Sequence, residues 1–71
     1  METIEFNLEG EYIELIQLLK ALTIAQTGGH AKMIVEDGGV VRAGEVETRK
    51  RAKIRKGEEL EIEGAVKVVV V

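Results

Sequence analysis

The spacing of apolar residues along the chain runs from a period of two, through a helical period, and back to two. Ile4, Phe6 and Leu8 alternate with Glu5 and Asn7, the pattern of a strand with one buried face. After Gly10, Leu15, Leu18, Leu19 and Leu22 fall at i, i+3, i+4 and i+7, which predicts a helix with a leucine stripe. Its start stays open: Tyr12 and Ile13 fit extended backbone, and Glu14 is a plausible but not ideal cap. Thr27 precedes a second helical stretch in which Ala31, Ile34 and Val35 share a face and Gly38-Gly39 ends it. Val40, Val41 and Val46 flank the turn Ala43-Gly44 and predict a hairpin. Leu60 and Ile62 alternate with Glu59, Glu61 and Glu63, and residues 66–71 form a last strand after Gly64. Residues 68–71 are apolar on both strand faces, which suits a central strand. An exposed edge, and with it a dimer through the C-terminal strand, is the lesser reading against an expected monomer. The fold class expected is α+β, with two short helices on one side of a small, mostly antiparallel sheet, as one domain over residues 1–71.

Composition narrows the class. A chain of 71 residues buries only about 60% of its unfolded surface, so its core must be simple. With 45% hydrophobic and 32% charged residues, a folded domain is expected. Cysteine is absent, which excludes disulfides and thiolate metal sites and leaves stability to packing. Residues 1–5 lack a basic start, and no stretch approaches the roughly 20 apolar residues of a membrane span. A soluble, cytoplasmic protein with no membrane partner is the expectation.

Charge changes the picture more. The net charge of −3 argues globally against a nucleic-acid partner, but the distribution is uneven. Glu2, Glu5, Glu9, Glu11 and Glu14 form one acidic block, and Glu58, Glu59, Glu61 and Glu63 another. Between them lie Arg42, Arg49, Lys50, Arg51, Lys53, Arg55 and Lys56, opposed only by Glu45 and Glu47. Screening confines each charge to a reach of about 8–10 Å, so a partner feels this local field. As a helix, residues 49–56 would set Ala52 and Ile54 about 200° apart, with no apolar face. As a strand they place Arg49, Arg51, Lys53 and Arg55 on one side at roughly 6.6 Å intervals, a cationic ladder able to follow a phosphate backbone. The bland alternative is a solvated edge strand. Concentration of one sign on an acidic chain favours function, since it costs repulsion without structural return. The only aromatic residues are Phe6, assigned to the core, and Tyr12, so base stacking is not expected and recognition by phosphates and shape is.

Other candidates are weaker. Thr27 to Lys32 opens a helix, and its N–H groups, with His30 and Lys32 near, suit an anion; an ordinary cap is the favoured reading. The stretch lacks the ending of a nucleotide-binding loop, and His30 has no evident metal partners. Residues 58, 59, 61 and 63 read as solvated strand positions rather than catalytic carboxylates. Lys20 complements the end of the leucine helix or joins the cationic face. No cofactor and no enzymatic activity are expected.

The order of these features resembles a known family. Leu-Leu-Lys at 18–20, Thr-Gly-Gly-His-Ala-Lys at 27–32, Ala-Gly-Glu-Val-Glu-Thr-Arg-Lys-Arg at 43–51 and Lys-Gly-Glu at 56–58 resemble the αL-motif RNA-binding domain, named after a ribosomal small-subunit protein. The similarity spans nearly the whole chain and is strongest to short stand-alone bacterial members. By that resemblance the fold is the αL motif, and the partner is structured RNA, with ribosomal RNA and a role in ribosome assembly or translation expected. Lys20, His30, Lys32, Arg49, Lys50, Arg51 and Lys53 inherit RNA-facing roles, and Arg55 continues the ladder. Two departures stand out. Arg42-Ala43-Gly44 replaces the usual Val-Asn-Gly, which removes a turn hydrogen bond and leaves Arg42 to point toward RNA. Thr27-Gly28 replaces Ser-Arg, removing a cation. The competing reading is a protein-interaction module that docks on a ribosomal or other basic protein. A sulfur-carrier-like fold ranks low, because such carriers end in Gly-Gly and this chain ends in valine.

Overall fold

A computed structural model describes residues 1–71. The strands are β1 (Glu2–Phe6), β2 (Ile13–Glu14), β3 (Val40–Arg42), β4 (Glu45–Val46), β5 (Lys53–Ile54), β6 (Glu59–Ile62) and β7 (Val66–Val70). The helices are α1 (Leu15–Ala21) and α2 (Gly28–Glu36). The main sheet has the order β1-β7-β6-β3-β4, parallel only between β1 and β7, and β2 with β5 forms a separate antiparallel pair. This is the expected α+β class.

Alternation along the strands decides the layers. Val40, Leu60, Ile62, Val68 and Val70 turn inward and are buried, meeting Leu15, Leu18, Leu19 and Val35 of the helices. Glu59 and Glu61 face solvent on the opposite side of β6. Strand β7 lies between β1 and β6, so both of its edges are occupied. That corrects the idea of a dimer through the C-terminal strand: Val71 N–H donates to Phe6 C=O and Leu8 N–H to Val71 C=O, extending the pairing past its end. The free edges belong to β1 and β4.

The helix ends follow from local chemistry in one case and tertiary contact in the other. Thr27 Oγ1 accepts from the His30 N–H at 3.0 Å, and His30 Nδ1 accepts from the Gln26 N–H at 3.3 Å. The first bond is an ordinary threonine N-cap; the second ties the His30 ring to the residue before the cap, one position short of the Thr27 N–H that a capping box engages. At the far end of α2, Gly38 (φ +78°) donates to Val35 C=O and Gly39 to Ile34 C=O, the paired bonds of a Schellman ending. Helix α1 has no side-chain cap at Glu14. Its first N–H groups reach the basic segment instead: Leu15 donates to Ala52 C=O at 2.9 Å and Ile16 to Lys50 C=O at 3.2 Å.

Candidate nucleic-acid interface

Those two bonds shape the basic segment. Ala52 and Ile54 are buried as the alternation requires, but only Lys53–Ile54 is strand, paired with β2. The expected uninterrupted ladder over residues 49–56 does not form. Lys50 and Arg51 lie in a turn closed by the Ala52 N–H on Arg49 C=O, because the carbonyls of Lys50 and Ala52 are drawn to the start of α1. The cations still converge. Arg49, Arg51, Lys53 and Arg55, with Arg42 at the base, line a cavity of ≈ 450 Å³ to which Ala52 is the only apolar contributor.

Arg42 is an internal strut rather than an outward contact, which corrects the expectation that it points toward RNA. Its guanidinium bonds both oxygens of Glu58 at 2.7 and 3.0 Å, Glu47 at 3.0 Å and the Lys53 carbonyl at 2.8 Å. Most of its donors are thereby spent. Its pKa is raised, above all by the bond to Glu58. Burial acts to raise the Glu58 carboxyl, but the Arg42 bond and the Arg55 N–H outweigh it and hold the group below its ordinary range. Glu58 is therefore not the solvated strand position the sequence suggests. Glu47, buried at 8% exposure, is held at about 2, chiefly by hydrogen bonds from the Arg49 side chain, which overcome the effect of burial.

The outer cations differ in how firmly they are held. Arg49 and Arg51 have side chains 74% and 80% exposed, paired with Glu47 at 3.0 Å and Glu14 at 3.4 Å. Lys50 meets Glu36, the last residue of α2, at 3.0 Å. Lys53 and Arg55 form no ion pair; they lie 5.0 and 5.9 Å from the centre of the Tyr12 ring. Exposed pairs of this kind are worth little and exchange readily for a stronger anion. Lys20, His30 and Lys32 stand apart, exposed at the last turn of α1 and the first turns of α2. Lys50 reaches the other end of α2 at Glu36, and the rise of that helix sets His30 and Lys32 about 6–9 Å from that end along its axis. Sequence reasoning misses Glu47, Glu58 and Tyr12. The one signal for them is that Glu47 interrupts an otherwise basic stretch.

The chain as a whole is similar to known proteins. Residues 6–71 match the model of the S4 domain, and the chain belongs to that family. YbcJ of Escherichia coli (strain K12) is 41% identical over 53 residues, which cover 75% of this chain and 76% of YbcJ. The protein of the same name from Shigella flexneri matches to the same extent. The solution structure of E. coli YbcJ, described as revealing an αL motif involved in RNA-binding, superposes with a TM-score of 0.65 at 37% identity. That match covers 97% of this chain and 87% of the other. The fold expected from the sequence is thus the observed one.

Proposed function

We propose that the chain is a non-catalytic RNA-binding module that holds structured RNA by its phosphates, with ribosomal RNA, during ribosome assembly or translation, as its target. One observation carries the reading: on a chain of net charge −3, the cavity beside the start of α1 is lined by five cationic side chains and one alanine. Such a field attracts a polyanion, and arginine forks suit phosphate oxygens. The family membership and the RNA-binding described for YbcJ support the same reading. Lys20, His30 and Lys32 supply a second contact at the far end of the helix pair, where His30, its Nδ1 engaged as an acceptor, keeps Nε2–H as a donor.

The test is a titration of a structured ribosomal RNA fragment, read by fluorescence anisotropy at several salt concentrations. With Arg49, Lys50, Arg51, Lys53 and Arg55 each meeting a phosphate, log affinity falls against log salt with a slope of about −3.5 to −4.5. A flat dependence, or no binding at low salt, would sink the reading.

A further inference from the structure

Tyr12 is 42% exposed, immediately before the strand that pairs with the basic segment. Register pairs Ile13 with Ile54 and Glu14 with Lys53. Ile54 is buried, so alternation puts Tyr12, Glu14, Lys53 and Arg55 on the outer face of this two-stranded ribbon. The ring centre lies 5.0 Å from Lys53 Nζ and 5.9 Å from the Arg55 guanidinium carbon, both within cation–π reach. Those two residues also line the cationic cavity, and their side chains form no ion pair. An exposed ring beside a basic cavity of ≈ 450 Å³ joins the two elements that hold unpaired nucleotides: cations for the backbone and a flat face for the base.

A continuous duplex offers no base face, because its bases are stacked on one another. Resting on the RNA-binding reading above, we propose that the preferred ligand is a folded RNA with an unpaired nucleobase beside the contacted phosphates, and that this base stacks on Tyr12. The cations that cover the ring are the ones phosphates attract. Backbone binding thus draws Lys53 and Arg55 off the ring and uncovers it for the base. Phe6, the other aromatic residue, packs against the core and cannot serve.

The experiment compares two blunt RNA duplexes of equal length, one with a bulged 2-aminopurine and one with that base paired, against the whole chain. The bulged RNA should bind about tenfold tighter, and its 2-aminopurine emission should fall on binding as the base stacks. Tyr12→Ala should bring its affinity down to that of the fully paired duplex, whereas Tyr12→Phe should keep both preference and quenching. Should Tyr12→Ala fail to fold, quenching with the wild type and with Tyr12→Phe decides. Equal affinities with unchanged emission overturn the stacking proposal and leave phosphate binding standing. Failure of both RNAs to bind overturns the proposed function and this inference together.

Discussion

Glu47 shows how one buried side chain organises a surface built of opposite charge. It accepts from the Arg42 guanidinium at 3.0 Å and from the Arg49 guanidinium at 3.0 and 3.1 Å. The Arg49 backbone N–H adds a fourth bond at 3.1 Å, so the carboxylate fixes the direction in which the basic segment leaves β4. Its folded pKa of about 2 lies below the ordinary 4.5. A depressed carboxylate contributes stability that is complete above the unfolded value and disappears as pH falls through the folded one. The melting temperature of the wild type should hold from neutral pH to about 5.5 and then drop toward pH 2, with Glu47 responsible for at most on the order of 3 kcal/mol. Glu58 is lowered too and adds to the loss in acid, so the difference between wild type and Glu47→Gln isolates the residue. The variant should be less stable by about 2–3 kcal/mol at pH 7 and converge on the wild type near pH 2. Parallel curves from thermal circular dichroism at stepped pH would show that Glu47 is not a strut. Gly39 poses a different residue-scale demand. A Cβ there would lie 2.9 Å from the Ile34 carbonyl oxygen and 3.0 Å from Ile34 Cγ2. Gly39→Ala should therefore cost about 1–3 kcal/mol in urea unfolding, although φ at this position is ordinary. None of this is visible in the sequence, because Arg42 and Glu58 stand 16 positions apart and only the closed sheet brings them together.

Among the elements, those with several turns or residues of period were legible and the short ones were not. The leucine stripe of α1 and the alternation in β6 each repeat often enough to exclude the other period. Strands β2 and β5 have two residues each, too few for any period, and exist because Ile54 is buried in the core and Ile13, partly buried, packs against it. The start of α1 stayed open for a related reason: its donors are met by carbonyls of Lys50 and Ala52, more than thirty positions along the chain. The β3–β4 hairpin was placed correctly by Ala43-Gly44, yet with a residue ill suited to its turn. Ala43 has φ +52° and Gly44 φ +81°, the doubly left-handed pattern of a type I′ turn that favours Asn-Gly. Ala43→Asn should raise stability by about 0.5–1 kcal/mol, seen as a higher urea midpoint at unchanged slope. No gain would mean that the strands, not the turn, set the hairpin geometry.

For the whole molecule, the decisive question is how an acidic domain gathers enough positive field to hold a polyanion such as the RNA proposed above. The acidic residues are not spread evenly: Glu59 and Glu61 face outward from the sheet, away from the layer of helices, while Lys67 meets Glu59 at 2.7 Å on that same face. The side with the basic cavity keeps Glu14, Glu47 and Glu58, of which Glu47 and Glu58 are partly or wholly withdrawn from solvent and neutralise Arg42. A ligand therefore meets Arg51, Lys53 and Arg55 with little opposing charge beyond Glu14. Reversing Arg51 and Lys53 together should test this division of labour. Both side chains are exposed and neither anchors the fold, so Arg51→Glu with Lys53→Glu should still fold and melt within several degrees of the wild type, the loss coming from repulsion with Glu14, which both positions face. Affinity for RNA should fall steeply, and the salt slope should shrink by about 1.4–1.8, the share of two lost phosphate contacts. The paired measurement separates causes that a simple loss of binding would confuse. An unchanged slope with weaker binding would mean that these two cations act through the shape of the loop, whereas a smaller slope with the fold retained assigns them to the phosphates themselves.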